Sequence, residues 1–150
     1  MAIERTFSMI KPDAVQSGNI GNIIAMIESN GFKIIHARLF KFTDKSAGQF
    51  YEVHKDSKYY ERLLKYIISD KVMAFVLEKE NAIADLRKLV GPTDPKEADK
   101  KTIRGKFGGN LPNNSIHASD TQLTAIKEIT YIFGEFASIP SIDKENGKDY

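Results

Sequence analysis

One histidine of this 150-residue chain lies where it could act as a nucleophile. His117 ends a long segment without hydrophobic periodicity and precedes a predicted helix that begins at Ser119. Neutral imidazole prevails above about pH 6.5 and is nucleophilic, and the partly positive N-terminus of a helix attracts an incoming anion. The alternative is a loop histidine that satisfies a turn, and position alone leaves both interpretations open. For His36 and His54, in a predicted strand and at a helix end, a structural role is favoured.

Three cationic side chains are predicted near the same region. Lys11 ends the first predicted strand. Arg87 lies near the end of a predicted helix, close to Thr93, and Arg104 lies in the long segment before His117. Each charge alone is typical of a solvated surface. Because arginine binds phosphate oxygens with a fixed geometry, the three cations together with a histidine indicate a polyphosphate site.

No common nucleotide cradle accompanies these charges. The chain has neither a GxxxxGK[ST] loop nor a GxGxxG turn after a strand, and no cluster of carboxylates and histidines suggests a metal site built by the protein. A magnesium ion would therefore arrive on the phosphates. Tyr59 follows a turn over residues 55–57 and could stack on a base, with core packing as its alternative role. The hydrophobic period favours Tyr60 for the core.

The composition is typical of a single soluble domain, with 41% hydrophobic and 28% charged residues. The net charge of +2 is too small to indicate a nucleic-acid partner. The lack of cysteine excludes disulfides, thiolate metal sites and cysteine nucleophiles. No apolar run approaches the roughly 20 residues of a transmembrane helix, and no signal peptide is visible. We therefore expect a cytoplasmic protein without a membrane partner.

The hydrophobic pattern predicts the elements that position these residues. Strands are predicted over residues 5–10, 32–42, 71–77 and 129–133, and helices from about residues 20, 43, 58, 81 and 119. The last helix would begin with a capping box of Ser119 and Gln122 and would turn Leu123 and Ile126 inward. Residues 91–118 show no period, and so long a loop inside a domain is usually functional.

Without the inserted helices, the predicted order is βαββαβ. We therefore predict an α+β fold, an α/β sandwich of ferredoxin-like topology with a four-stranded antiparallel sheet, inserted helices and a long active-site loop. This architecture occurs in enzymes, regulatory domains and RNA-binding modules, so it does not decide the function. One domain is predicted over residues 1–136, followed over residues 137–150 by a polar tail that is either disordered or packed on a neighbouring subunit.

The residues around His117 read Asn-Ser-Ile-His-Ala-Ser-Asp over positions 114–120. This segment resembles N-x-x-H-G-S-D, the active-site signature of nucleoside diphosphate kinases. Further segments resemble that family in the same order and without a gap over roughly residues 1–136: residues 4–7, 10–15, 31–33, 77–78, 91–95, 102–104 and 133–134. Collinear agreement of several separate motifs is far more specific than one short pattern.

The resemblance implies a role for each candidate site residue. His117 would be phosphorylated on Nδ1, Glu128 would hydrogen-bond its other ring nitrogen, and Ser119 would support the nucleophile. The remaining residues would contact the nucleotide: Lys11, Tyr51 and Arg104 the transferred phosphoryl group, Arg87 and Thr93 the other phosphates, Asn114 the ribose, and Tyr59 with Leu111 the base.

The resemblance also implies the reaction and its partners. The γ-phosphate of a nucleoside triphosphate, chiefly ATP, would pass to a nucleoside diphosphate by a ping-pong mechanism through phosphorylated His117. Mg²⁺ would be carried on the nucleotide phosphates. Because a stacked base makes few discriminating hydrogen bonds, specificity for base and sugar should be broad. The family assembles from dimers into tetramers or hexamers, so a homo-oligomer is expected.

The chain departs from the family pattern at several positions. Residues 57–60 read Ser-Lys-Tyr-Tyr where the family usually has Arg-Pro-Phe-Phe, and a tyrosine still stacks on a base. Ala118 replaces a glycine, which would cost about 1 kcal/mol if the backbone there needs a positive φ.

Two other functions compete with this interpretation. A ferredoxin-like nucleic-acid-binding module would contain the pattern [KR]-G-[FY]-[GA]-F-V-x-[FY], which the chain lacks. A catalytically weak relative that acts as an oligomeric scaffold is disfavoured because the site residues implied by the resemblance are retained.

Overall fold

The computed structural model describes residues 2–109 and 113–141. This part of the chain contains a four-stranded antiparallel sheet with the strand order β2-β3-β1-β4, which confirms the predicted α+β fold. The strands are β1 (Ile3–Ile10), β2 (Lys33–Phe40), β3 (Val72–Glu80) and β4 (Ile116–Ala118). The helices are α1 (Pro12–Gln16), α2 (Ile20–Ser29), α3 (Asp44–Phe50), α4 (Tyr60–Ile67), α5 (Ala82–Val90), α6 (Ile103–Phe107) and α7 (Gln122–Phe133). Short 3₁₀ turns cover Glu52–His54, Pro95–Glu97 and Glu135–Ser138.

The central strands β1 and β3 are buried on both faces. Because successive side chains of a strand point to opposite faces, neighbours along β3 enter different cores. Phe75 packs with Ile27 and Leu86 from helices α2 and α5. Val76 packs with Ala47, Ile67 and Ile129 from helices α3, α4 and α7. Helices therefore cover both faces of the sheet, as expected for strands that read as nearly continuous apolar runs.

The predicted last strand over residues 129–133 is wrong. These residues form the end of α7, whose buried side chains are Ala125, Ile129 and Ile132, at i, i+4 and i+7. Leu123 and Ile126, predicted to face inward, are 63% and 41% exposed. A short apolar run is equally compatible with a strand and with a helix. Only the spacing of its buried residues from Ala125, which follows the helical repeat, identifies the helix.

The fourth strand is instead β4, in the segment predicted as a loop. It pairs with β1 through Ser8↔Ala118, Met9↔His117 and Ile10↔Ile116. The helix predicted to begin at Ser119 begins at Gln122, because Thr121 is the residue whose side chain caps it by accepting from the Thr124 amide. The remainder of the segment also contains α6 and a 3₁₀ turn. His117 thus lies in an edge strand rather than at the end of a loop.

No helix within residues 2–109 and 113–141 is long and apolar enough to cross a membrane.

Candidate active site

A cavity of about 720 Å³ opens beside β4. Most of the predicted site residues line it: Lys11, Tyr51, Arg87, Thr93, Arg104, Asn114, His117 and Glu128. Ser119 does not line the cavity and is 1% exposed. Tyr59 is exposed and does not line the cavity, and Leu111 lies outside the described residues. The structure therefore brings together the predicted cationic and catalytic groups, whereas the predicted base sandwich includes Leu111 and so lies outside the described residues.

The His117 imidazole is held by a carboxylate. Its Nε2 lies 2.7 Å from Oε2 of Glu128, and the other oxygen of that carboxylate accepts a 2.5 Å hydrogen bond from the Ser119 hydroxyl. An ionised carboxylate only accepts, so the neutral ring must have its proton on Nε2. Nδ1 then has a free lone pair, and within the described residues it makes no hydrogen bond. This tautomer is the one that a nucleophilic Nδ1 requires.

Two aromatic rings contact that imidazole, and one hydroxyl holds the His117 backbone. Phe7 and Phe50 each approach the His117 ring edge-on, with centroids 5.9 Å away. The Ser8 hydroxyl donates to the His117 carbonyl over 2.9 Å. None of these three residues was predicted from the sequence. The adjacency of Phe50 to Tyr51 is a weak signal, but the contacts from β1 depend on strand pairing and have no local signal.

Lys11 reaches the cavity from the end of β1. Pro12 begins α1 directly after it, which ends the strand and leaves the lysine at the rim. Its Nζ donates to Asn114 Oδ1 over 2.8 Å, and the amide of Asn114 donates to the Thr93 carbonyl over 2.9 Å. Burial, and next the charge of Arg104, lower the pKa of Lys11 to about 8. The lysine is therefore a cation at neutral pH that loses its charge under mildly basic conditions.

Two guanidinium groups donate hydrogen bonds to backbone carbonyls of β4. Arg104 lies on α6, whose N-terminus is capped by Thr102, and donates to the carbonyls of Gly91 and Ile116 over 3.1 and 2.8 Å. Arg87 donates to the Ala118 carbonyl over 3.3 Å. Burial and the charge of Arg87 lower the pKa of Arg104 to about 10. Like charges held this close favour an anion between them.

Tyr51 offers an unused hydrogen-bond donor. Its hydroxyl is buried and has no hydrogen-bond partner within the described residues. Burial and the charge of Glu128 raise the pKa of Tyr51, so the phenol keeps its proton. An unsatisfied buried polar group costs about 1–3 kcal/mol. An oxygen of a bound anion would remove this cost.

The alanine next to His117 causes no backbone strain. Within the described residues, the non-glycine positions with positive φ are Asn81 and Ser115. Ala118 instead lies in β4 and is almost fully buried. A glycine is therefore not required at this position, and the departure from the family pattern is compatible with an undistorted His117.

His54, for which the sequence favoured a structural role, also lines the cavity. It lies in the 3₁₀ turn after α3, with its ring centroid 6.4 Å from that of Tyr51. By contrast, His36 stacks on Phe133 at 5.7 Å, away from the cavity.

Comparison with known proteins identifies one family throughout. The family model for nucleoside diphosphate kinases matches residues 4–137. The nucleoside diphosphate kinase of Dechloromonas aromatica is 49% identical over 133 residues, which cover 89% of this chain and 94% of that protein. The enzyme of Wolbachia pipientis wMel is 45% identical over 135 residues, with coverages of 90% and 97%.

Solved structures agree with the sequence comparison. The structure of the Aquifex aeolicus nucleoside diphosphate kinase is similar with a TM-score of 0.88 at 39% identity, covering 92% of this chain and all of that one. That of a Halobacterium salinarum nucleoside diphosphate kinase in complex with CDP has a TM-score of 0.87 at 33% identity and covers 97% of both chains.

Proposed function

The chain belongs to the nucleoside diphosphate kinase family, and we propose that it exchanges phosphate between nucleotides by a ping-pong mechanism through His117. The observation that supports this most directly is the orientation of the imidazole. Oε2 of Glu128 lies 2.7 Å from Nε2 of His117 and leaves Nδ1 free. The tautomer and the position of the ring are therefore already fixed. Catalysis by positioning requires such pre-organisation. The alternative of a catalytically weak scaffold is not favoured, because the polar groups for the reaction are assembled around one cavity.

In the first half-reaction, Nδ1 of His117 attacks the γ-phosphorus of a nucleoside triphosphate. The bond from that phosphorus to the oxygen bridging to the β-phosphate breaks, and the nucleoside diphosphate leaves with the bonding electrons. The positive charge that develops on the imidazole is balanced by Glu128. In the second half-reaction, a terminal oxygen of an acceptor diphosphate attacks the phosphorus, and the Nδ1–phosphorus bond breaks. The same pocket serves both steps, because donor and acceptor have the same chemical parts.

The cations and the phenol around the cavity would stabilise the transferring group. Its charge spreads over equatorial oxygens in the transition state, and fixed donors directed at these oxygens supply most of the acceleration. Lys11, Arg104 and the unpartnered Tyr51 hydroxyl suit this role. Arg87 and Thr93 would hold the remaining phosphates, and Asn114 the ribose.

The lining suits magnesium that enters with the substrate. Within residues 2–109 and 113–141, no three His, Cys, Asp or Glu side chains are grouped so as to hold a metal ion. Of the lining carboxylates, Glu128 is already engaged by His117 and Ser119. We propose that Mg²⁺ is coordinated by phosphate oxygens, where it neutralises charge between the phosphates.

Base recognition is proposed to rest on Tyr59 and Leu111. Tyr59 is 57% exposed, so its ring is accessible for stacking, although the Lys58 ammonium lies over one face at 5.0 Å from the centroid. Stacking is worth roughly 1–3 kcal/mol per base and depends little on its identity. Broad base and sugar specificity follows from this proposal, and ATP is proposed as the chief donor.

A homo-oligomer built from dimers is proposed for the assembled enzyme. β2 is an edge strand of the sheet and most of its residues are exposed or half-buried. An exposed strand edge has unpaired backbone groups that another chain can cover, and symmetric assembly is the common solution. We further propose a catalytic domain over residues 1–136 and a cytoplasmic location. At the start of the tail over residues 137–150, Ala137 is buried in the core and the Ser141 amide donates to Glu78 over 2.9 Å. The rest of the tail lies outside the described residues.

A two-step label transfer tests the reaction. The protein is incubated with magnesium and γ-labelled ATP without an acceptor, isolated, and then given unlabelled GDP. We expect acid-labile, base-stable label on the protein, which moves to GTP in the second step. Well-folded protein that holds no label and forms labelled GTP only when both nucleotides are present would exclude the ping-pong mechanism.

The charge of Lys11 predicts a basic limb in the pH profile. We expect kcat/KM to fall as the pH rises through about 8, because the protonated side chain that attracts phosphate is lost above its pKa. In the nucleotide complex the phosphate charges favour the ammonium form, so the limb of kcat should lie at higher pH. Steady-state kinetics across the pH range measures both limbs.

Tyr51 and Arg104, which share the cavity with Lys11, do not titrate in this window. Burial raises the pKa of Tyr51, and that of Arg104 is lowered only to about 10. Lys11→Arg provides the control, because arginine stays charged, and the limb near pH 8 should disappear in this variant. An unchanged limb in Lys11→Arg would assign the titration to another group.

A further inference from the structure

The chain turns through a left-handed corner immediately before β4. Ser115 has a φ of 71° and is completely buried. For a residue with a Cβ, this conformation costs roughly 1–2 kcal/mol, so it persists only where neighbouring groups stabilise it. The corner directs the chain into the strand that contains His117, two residues further on.

The Ile116 amide donates to the Asn114 carbonyl over 2.9 Å across this corner, and Ser115 itself makes three further hydrogen bonds. The Ser115 amide donates to Oδ2 of Asp13 over 3.1 Å, and the Ser115 carbonyl accepts from the Lys11 amide over 2.8 Å. The Ser115 hydroxyl donates to the Asn114 carbonyl over 2.6 Å. Only one of these bonds uses a side chain from a distant part of the sequence, namely that of Asp13.

Asp13 is held in turn by a second side chain. Its Oδ1 accepts a hydrogen bond from the Tyr66 hydroxyl, on helix α4. Burial and the adjacent Asp13 raise the pKa of Tyr66, so the phenol remains a donor. Neither residue lines the cavity, and neither is therefore expected to contact the nucleotide.

Displacement of the corner would move several groups of the site together. Asn114 precedes it and accepts from the Lys11 ammonium over 2.8 Å. Ile116 follows it, and its carbonyl accepts from Arg104 over 2.8 Å. A misplacement of about 1 Å can slow an enzyme on the order of 100-fold, because positioning supplies much of the acceleration.

We propose that Asp13 is a positioning residue of the active site, whose carboxylate, oriented by the Tyr66 hydroxyl, holds the left-handed corner at Ser115 and thereby aligns His117 and Asn114 with the bound nucleotide. The inference rests on the proposed role of His117. It adds two residues outside the cavity to the groups on which the rate depends.

Rescue by glycine tests this proposal. In Asp13→Ala, the single-turnover rate of protein phosphorylation should fall about 100-fold. Glycine adopts positive φ without a steric cost, so adding Ser115→Gly should recover at least about tenfold of that loss. Asp44→Ala is the matched control: it removes an exposed first-turn carboxylate from α3 and should leave the rate within about twofold.

A milder variant and a second readout separate the corner from the chemistry. Tyr66→Phe removes only a hydroxyl, and we expect an approximately fivefold slower phosphorylation that Ser115→Gly also relieves. Hydrogen exchange of the Ser115 amide should accelerate about tenfold in Asp13→Ala and less in Tyr66→Phe.

The outcomes distinguish the two hypotheses. Slower phosphorylation with no recovery by Ser115→Gly in either background, or unchanged exchange at Ser115, would overturn the positioning role of Asp13. A wild-type protein that holds no label on His117 would overturn the proposed mechanism, whereas the exchange measurement would still report on the corner.

Discussion

Replacement of His117 by asparagine should abolish phosphoenzyme formation and lower kcat on the order of 10⁴-fold or more, the scale expected when a covalent nucleophile is removed. Asparagine keeps a polar side chain that ends near the position of Nδ1, but it lacks the Nε2 that lies 2.7 Å from Glu128 in the wild type. It has no lone pair of comparable nucleophilicity at the position of Nδ1. The label-transfer assay measures the loss directly, and equilibrium binding of ADP should change by less than about tenfold because positioning of the phosphates is retained.

His36→Asn is the matched control for this prediction. The His36 ring stacks on Phe133 and does not line the cavity, so phosphoenzyme should form at nearly the wild-type rate. Label that persists in His117→Asn would show that another residue is the nucleophile, and His54, at the rim of the same cavity, would be the first to replace.

The second large effect is expected at Arg104. Replacement by methionine should lower the single-turnover rate of phosphorylation by roughly 10³-fold, for two reasons that act together. The transferring phosphoryl group loses a fixed cation, and the carbonyls of Gly91 and Ile116 lose donors at 3.1 and 2.8 Å. Each carbonyl left unsatisfied costs about 1–3 kcal/mol, so the variant should also unfold at lower denaturant concentration.

Lysine at the same position separates charge from geometry. Arg104→Lys keeps the cation but cannot span both carbonyls with a planar fork, so we expect an intermediate loss, roughly 10²-fold. Lys106→Met removes an exposed charge from the same helix and should have almost no effect. Equal rates for the methionine and lysine variants would assign the effect to the carbonyl contacts alone.

The sequence predicts the elements whose residues have a strong local pattern. Strands β1 and β3 are found close to their predicted positions, because their apolar residues meet a core on both faces. β4 has three residues, and its stability comes from pairing with Ser8, Met9 and Ile10, which are more than one hundred positions away. No window around His117 contains that information, so the segment was predicted as a loop and the fourth strand was placed in the apolar end of α7.

The site follows the same division. The types of residue in the site could be predicted from the sequence. Their roles were predicted from the resemblance to a family rather than from spacing. The contacts of Phe7 and Phe50 with the imidazole, and of Ser8 with the His117 carbonyl, could not be predicted, because they depend on strand register and on the packing of α3 against the sheet. The left-handed conformation of Ser115 could not be predicted either, because a serine in the sequence does not indicate a positive φ.

The location of His117 in β4 also bears on the lifetime of the proposed covalent intermediate. The strand pairs with β1, whose residues from Thr6 to Ile10 are all buried, so exposing the imidazole to bulk water by local opening means separating it from one of the most stable parts of the sheet. Such an opening breaks the pairing of β4 with a buried strand and therefore has a higher free energy than the fraying of a surface loop. A phosphoryl group on this strand is shielded from the breathing motions that affect surface loops. If His117 is phosphorylated as proposed, water would reach the phosphoryl group through the cavity that His117 lines rather than by opening of the backbone.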